Sequence, residues 1–163
     1  MAEPLERALG RRLRGARKVA VVGVGDELQA SDRLGILAAR DVEGLRLPGV
    51  KVFLAGTTPE SFTAPIRRYR PERILLLDAA DMGERPGSVA VVAPGRVAGA
   101  RLSTHALPLT VVIEYLEETT GAAVILVGIQ PDLAAEGSLP TSAEKAGLTR
   151  LMGILQRLLH DRV

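Results

Sequence analysis

The sequence contains no cysteine, which excludes disulfide bonds, thiolate nucleophiles, iron–sulfur clusters and cysteine-based zinc sites. Aromatic residues make up only 2% of the chain and tryptophan is absent, so aliphatic side chains must build the core. Stacking platforms for nucleic acids are therefore not expected. Histidine is scarce as well, and the two present, His105 and His160, are the only sources of an imidazole.

Long apolar runs are also missing. The longest aliphatic stretch, residues 122–129, is far shorter than the roughly 20 residues that cross a bilayer. Residues 1–17 lack the apolar segment of a signal peptide. The net charge is only +2, and no sustained run of lysine and arginine offers a footprint for phosphate backbones. We therefore expect a soluble, cytoplasmic protein with neither nucleic-acid binding nor membrane insertion.

The remaining composition is that of an ordinary globular protein. The 163 residues are 47% hydrophobic and 25% charged, enough for one substantial core. The chain shows no internal repeat, no low-complexity segment and no linker. These features predict a single domain over residues 1–163.

Helical and strand patterns alternate along the chain. Strand patterns occupy residues 18–24, 50–55, 74–77, 88–93 and 122–127. Helical patterns begin near residues 5, 31, 57, 109 and 141, and residues 94–103 are predicted as a loop. This order predicts an α/β three-layer sandwich, with a largely parallel, twisted sheet of about five strands flanked by helices.

Three chemically capable side chains follow or interrupt apolar segments: Asp32, Asp78 and His105. In a parallel sheet, sites form at the carboxyl ends of the strands, so Asp32 and Asp78 are expected at the same edge. Two carboxylates and one imidazole suit a borderline divalent metal such as nickel or zinc. Each residue also has an ordinary structural interpretation: a helix N-cap for Asp32, a bonded strand-end carboxylate for Asp78, and a structural histidine at 105. His160 falls in the last turns of the terminal helix, where a cation favours the helix dipole.

Other catalytic patterns fit less well. Ser103, His105 and Asp78 could form a triad on paper, but no G-x-S-x-G elbow presents a serine, and no H-E-x-x-H zinc motif exists. The glycines at 23 and 25 resemble a dinucleotide fingerprint only superficially. Leu28 takes the place of its third glycine, and an acidic residue stands where a pyrophosphate would bind.

Five segments, with their order and neighbours, resemble the [NiFe]-hydrogenase maturation endopeptidases, especially the branch that serves formate-hydrogenlyase-type hydrogenases. The segments are VVGVGDELQASDRLG (21–35), GTTPE (56–60), RPERILLLDAADMG (70–83), STHALPLTVVIEYLEE (103–118) and ILVGIQPD (125–132). The resemblance implies a nickel-dependent endopeptidase that removes the C-terminal extension of a hydrogenase large-subunit precursor after nickel insertion. It also implies that Asp32, Asp78 and His105 are both the catalytic residues and the metal ligands. The nickel would be supplied by the precursor, another divalent cation could occupy the site in isolation, and the protein is expected to be a monomer.

One position departs from the family pattern. Arg33 follows Asp32 where the family has glycine, so it could strain the turn, repel a metal or point to solvent. Asp26 offers an alternative carboxylate if Asp32 is turned away. Thr57, Glu60 and Gln130 are candidates for supporting or peptide contacts. Two alternatives to the endopeptidase remain open: a non-catalytic chaperone for the nickel-loaded precursor, and a nucleotide-binding module that uses the loop after residue 25.

Overall fold

A computed structural model describes residues 3–93, the backbone of residues 101–102, and residues 108–160. The strands are β1 (Val19–Val24), β2 (Val50–Gly56), β3 (Arg73–Asp81), β4 (Val89–Val92), β5 (Arg101–Leu102) and β6 (Ala123–Ile129). The helices are α1 (Leu5–Leu13), α2 (Leu34–Leu45), α3 (Thr63–Tyr69), α4 (Leu109–Thr120) and α5 (Ser142–His160), with a 3₁₀ turn at Pro59–Phe62. Among the described residues, every helix is too short or too polar to span a bilayer.

The sheet has the strand order β2-β1-β3-β6-β4, and its first four strands are parallel. The edge strand β4 runs antiparallel to β6, and β5 pairs antiparallel with the outer end of β3. The predicted fold class is confirmed. The loop prediction for residues 94–103 is wrong at 101–102, because a strand of two residues is too short to show a period. Strand β3 also extends past the predicted end at residue 77, since β6 and β5 supply its backbone partners there.

Alternating side chains of β1 divide the core into two layers. Val19 and Val21 pack with residues of α1, α2 and α5 on one face of the sheet. Ala20, Val22 and Val24 pack with residues of α3 and α4 on the other. The expectation of a mostly aliphatic core holds for both layers, and burial of both faces explains why β1 reads as a continuous apolar run.

The two capping patterns in the sequence have different outcomes. At α5, the Thr141 hydroxyl accepts the Glu144 N–H at 3.2 Å, and the Glu144 carboxylate accepts the Thr141 N–H at 2.8 Å, which completes a capping box. The pattern at residues 57–60 instead leads into the 3₁₀ turn, which has no side-chain cap. The short helix α3 then carries Pro65 in its first turn, where the missing N–H has no helical partner to lose.

The first turn of α2 lies directly on the ends of β1 and β3. A Cβ atom added to Gly35 would clash with the carbonyl oxygens of Val24 and Leu77, and would lie 2.7 Å from the Asp78 Cα. All three neighbours are backbone atoms, which cannot move aside as a flexible side chain can. Glycine at this position therefore sets how closely α2 approaches the sheet.

The two glycines of α2 provide a matched test of this contact. Gly35→Ala is expected to lower the free energy of unfolding by about 1–3 kcal/mol, because the helix must lift from the strands. Gly44→Ala, where nothing lies within 4 Å of the added Cβ, should instead raise it by about 0.5–1 kcal/mol through helix propensity. Urea unfolding of both variants measures the difference, and equal effects would contradict the close approach.

The start of β1 is held by a carboxylate from the turn before β3. One carboxylate oxygen of Glu72 accepts the N–H groups of Arg17 at 2.8 Å and Lys18 at 3.1 Å. These backbone hydrogen bonds, Arg17 first, hold the pKa of Glu72 below its usual value. The stabilisation is therefore fully present above the usual carboxyl pKa, and is lost as the pH falls through the lowered value.

Glu72→Ala is accordingly expected to lower the free energy of unfolding at pH 7. This deficit relative to wild type should shrink as the pH is lowered below 4.5, the unperturbed pKa of the carboxyl group. Chemical unfolding at a series of pH values measures this trend. Glu118→Ala, at an exposed position on α4, serves as the control. A deficit for Glu72→Ala that stays constant down to pH 3 would contradict the assigned role.

Candidate functional site

A crevice is expected where neighbouring parallel strands continue in opposite directions across the sheet. From β1 the chain passes through α2 to β2 on one side, whereas from β3 it passes to β4 and β6 on the other. The last residue pair between β1 and β3 is Gly23 with Leu77. Asp78 is thus the first residue of β3 beyond that pairing, and Asp32 ends the loop that leaves β1. The structure places both predicted aspartates beside this crevice, at the same edge of the sheet.

The loop from Gly25 to Asp32 is closed by its own backbone and by one carboxylate. An oxygen of Asp32 accepts the N–H of Asp26 at 3.0 Å, and the Asp32 N–H donates to the Gln29 carbonyl at 3.0 Å. Gly25 has φ +125°, and a Cβ there would clash with the Asp32 carbonyl. The Asp32 side chain is 7% exposed. Its carboxylate is therefore held in a defined position by the loop that it closes.

The N-cap interpretation of Asp32 is wrong. Helix α2 begins at Leu34 rather than near residue 31, its N-cap is Arg33, and no side chain caps it. The Asp32 carboxylate binds backward to the loop instead, because the tight turn at Gly25 brings the Asp26 N–H to it. The alternative carboxylate, Asp26, accepts the N–H of Leu28 at 2.9 Å and so serves the local turn.

Asp78 is completely buried and pairs in register with Gly128 of β6. A carboxylate removed from solvent needs hydrogen-bond donors or a cation to remain charged. His105, like Ser103, lies outside the described residues. Within residues 3–93 and 108–160, no three acidic, histidine or cysteine side chains are grouped to hold a metal ion. The convergence of Asp32, Asp78 and His105 on one ion thus stays a prediction.

Arg33 neither strains the turn nor points to solvent, so two of the three expectations for it are wrong. Its φ of −94° lies in the ordinary helical region, so the turn is not strained, and its side chain is only 3% exposed, so it does not point to solvent. The guanidinium donates to the carbonyl oxygens of Gly137 at 2.9 Å and Leu139 at 2.8 Å. It also lies 3.8 Å from the buried carboxylate of Glu144. Sequence reasoning missed this pairing because the partners are more than a hundred positions apart.

Gln130 is a buried clamp rather than a peptide contact. Its side-chain oxygen accepts the N–H groups of Met82 at 2.6 Å and Glu84 at 3.3 Å, and the side chain is 2% exposed. Its amide nitrogen donates to Asp81 at 3.3 Å. The residue thereby shapes the turn that follows β3, next to Asp78.

The other two supporting candidates follow β2 at the same edge. Thr57 is exposed, whereas Glu60 is half-buried. One carboxylate oxygen of Glu60 is buried and has no hydrogen-bond partner among the described residues. Neither side chain caps the 3₁₀ turn, so the capping role expected from the sequence pattern is not what holds them here.

Three exposed leucines lie on loops that follow the carboxyl ends of β1 and β6. Leu28, on the loop after β1, is 90% exposed, and Leu133 and Leu139, on the loop after β6, are 62% and 70% exposed. Exposed apolar side chains on such loops are candidates for contact with another protein or peptide. Sequence reasoning did not single them out, because an isolated loop leucine carries no pattern.

Comparison with known proteins identifies the family of this chain. A family model described as hydrogenase maturation protease matches residues 38–156. The hydrogenase 3 maturation protease of Escherichia coli is 36% identical over 111 residues, which cover 68% of this chain and 70% of that protein. A putative hydrogenase maturation protease of Methanocaldococcus jannaschii is 29% identical over 130 residues, covering 75% and 77%.

A solved structure is similar over almost the whole chain. The [NiFe] hydrogenase maturation protease HycI from Thermococcus kodakarensis superposes with a TM-score of 0.82 at 28% identity, covering 93% of this chain and 98% of that one. The matched residues of the family model include Asp78 and His105 and begin after Asp32. The resemblance seen in the five sequence segments is thereby confirmed, and with it the class of peptidase: the chain belongs to the hydrogenase maturation protease family.

Proposed function

We propose that this protein is an endopeptidase that removes the C-terminal extension of a [NiFe]-hydrogenase large-subunit precursor, and that nickel already bound to the precursor anchors the substrate. The observation that carries the proposal is the placement of Asp32 and Asp78 on either side of the β1–β3 crevice. Family membership supports the peptidase and its class of substrate.

The nickel ion belongs to the substrate in this proposal. Asp32, Asp78 and His105 would complete its coordination, since oxygen and imidazole donors suit a borderline divalent cation. The bound ion would place the scissile peptide against the crevice. The ion could polarise the scissile carbonyl, or a carboxylate could activate the attacking water, and both roles are compatible with this donor set.

The exposed leucines offer the peptide a second point of attachment. Leu28 lies on the loop closed by Asp32, and the Leu139 carbonyl is bound by Arg33, the residue next to Asp32. Apolar residues of the extension would bury these side chains on docking. In this arrangement the nickel of the precursor would determine which peptide bond is cut, and the loops would provide affinity for the peptide on either side of that bond.

The competing functions have less support. The loop after β1 would need its N–H groups for a phosphate, yet the N–H groups of Asp26 and Leu28 are bound by the loop's own carboxylates. A non-catalytic chaperone would be favoured if the charge of Arg33 weakened metal binding, yet that charge faces Glu144. We further propose that the protein acts in the cytoplasm as a monomer, without a nucleic-acid partner.

The function is tested with purified precursor in nickel-loaded and nickel-free forms, followed by intact mass. Loss of a C-terminal peptide only from the loaded form is expected. Asp78→Asn should lower kcat/KM by at least about 100-fold, because it removes a negatively charged metal ligand while keeping the shape of the side chain. Asp41→Asn, at an exposed position on α2, is the matched control. Equal processing of both precursor forms would refute nickel anchoring, and an intact subunit in a stable complex would identify a chaperone.

Docking on the leucines is tested separately. Leu28→Ser and Leu133→Ser are each expected to raise KM by about tenfold with little change in kcat, since burying a leucine contributes about 1.5–3 kcal/mol. Tyr115→Ser, at a 41% exposed position on α4 beside Arg67, should leave both constants unchanged. Unchanged KM values for both leucine variants would remove these loops from the docking surface.

A further inference from the structure

Arg33 connects the two loops that border the crevice. Its backbone directly follows Asp32, at the end of the loop from β1, and its guanidinium holds the carbonyl oxygens of Gly137 and Leu139, in the loop from β6. Two donors in a fixed planar fork restrict both the direction and the distance of the contact. The position of Asp32, which follows β1, thus depends on contacts with the loop that follows β6.

Glu144 restrains the loop after β6, to which Arg33 binds. One carboxylate oxygen accepts the Thr141 N–H at 2.8 Å, and the other accepts the Asp132 N–H at 2.9 Å. The carboxylate therefore closes the loop from both ends, and its side chain is completely buried. Arg33 then binds the part of the loop between these two attachment points.

The same carboxylate offsets the charge of the guanidinium. Arg33 is 3% exposed and lies 3.8 Å from Glu144, so the two opposite charges are buried together. A cation held by Asp32 would therefore have beside it an Arg33 guanidinium whose charge is offset by the Glu144 carboxylate, rather than an isolated positive charge. An arginine beside a metal-binding carboxylate is compatible with cation binding for this reason.

The contact of α2 with the sheet also restricts the position of residue 32. Gly35 rests on the backbone of β1 and β3, so the start of α2 cannot sink toward the sheet. Arg33 provides a second restraint, through its hydrogen bonds to the loop from β6. Between them, the Asp32 carboxylate is held at the position where it accepts the Asp26 N–H.

We propose that Arg33 is a positioning residue: paired with Glu144, it fixes the Asp32 carboxylate for the nickel of the precursor and couples that carboxylate to the loop that carries Leu133 and Leu139. The proposal rests on the proposed function for its catalytic consequence, but its structural part can be tested without substrate or metal. In this role Arg33 touches neither the ion nor the peptide.

The test compares Arg33→Met with Arg40→Met. Arg40 lies on α2, the helix that Arg33 precedes, and pairs with Glu27 of the loop after β1 at 2.6 Å. Both members of that bridge are about half exposed, so the contact is expected to contribute little. The first measurement is amide hydrogen exchange of Asp26, whose N–H reports the position of the Asp32 carboxylate. Arg33→Met should speed this exchange by about fivefold or more, toward the rate in Asp32→Ala, relative to the exchange of core amides in β1. Arg40→Met should leave it unchanged.

The second measurement is cleavage of the nickel-loaded precursor. Arg33→Met is expected to lower kcat by about 10- to 100-fold, the usual cost of losing a residue that orients a metal ligand. Arg33→Lys should recover only part of this loss, because an ammonium cannot hold both carbonyls in the same geometry.

Each outcome has a distinct meaning. A purely structural role predicts that the Asp26 and β1 amides lose protection equally and that activity follows the melting temperature, and this result would overturn the proposal. So would an Asp26 amide that exchanges as fast in wild type as in Asp32→Ala. If the wild-type protein does not cut the nickel-loaded precursor, the proposed function fails, while the exchange of Asp26 still decides whether Arg33 positions Asp32.

Discussion

The contact between the first turn of α2 and the ends of β1 and β3 is the constraint on which the rest of the site depends. It is made of backbone on both sides, with Gly35 over the carbonyl groups of Val24 and Leu77. Backbone contacts of this kind vary little, because no rotamer change can relieve them. The distance between the loop that carries Asp32 and the strand that carries Asp78 follows directly from it.

Around this contact, the edge of the sheet is organised by buried polar side chains rather than by more apolar packing. Glu144 binds the loop after β6, Gln130 binds the turn after β3, and Arg33 joins the first of these to the start of α2. Loops cannot bury enough apolar surface to become rigid, so hydrogen bonds to their backbone take over that task. These three side chains are almost completely buried, which strengthens each of those bonds.

This division of labour suits a protease that acts on another folded protein. In the proposed function a large-subunit precursor approaches the crevice, which requires an open edge and loops that are exposed on their outer side. Leu28 and Leu139 are exposed on these loops, whereas Arg33 and Glu144, which bind the loop after β6, are buried. The surface proposed for the substrate and the buried groups that hold its loops thus come from the same short segments.

The sequence by itself determined the fold class, most element boundaries and the family. Periodicity and capping patterns are local, and the run from Val19 to Val24 or the capping box at Thr141 can be recognised without tertiary context. The same patterns placed Asp32 in the loop after β1 and Asp78 at the end of the next parallel strand; the structure keeps Asp32 in that loop, but Asp78 lies within β3, which continues to Asp81. The convergence of both with His105 still stands as a prediction.

Only the tertiary structure decided what these residues contact. It showed that Asp32 binds the Asp26 amide rather than capping a helix, that Gln130 is a buried clamp, and that Arg33 faces Glu144. It also showed that Leu28 and Leu139 are exposed on loops that follow two parallel strands, although the two residues are far apart in the chain. The physical reason is that the contacts of Gln130 and Arg33 join segments that follow different strands, so the packing of the strands and α2 sets their geometry. The contact of Asp32 depends on the backbone conformation of the turn at Gly25. Spacing in the sequence specifies neither.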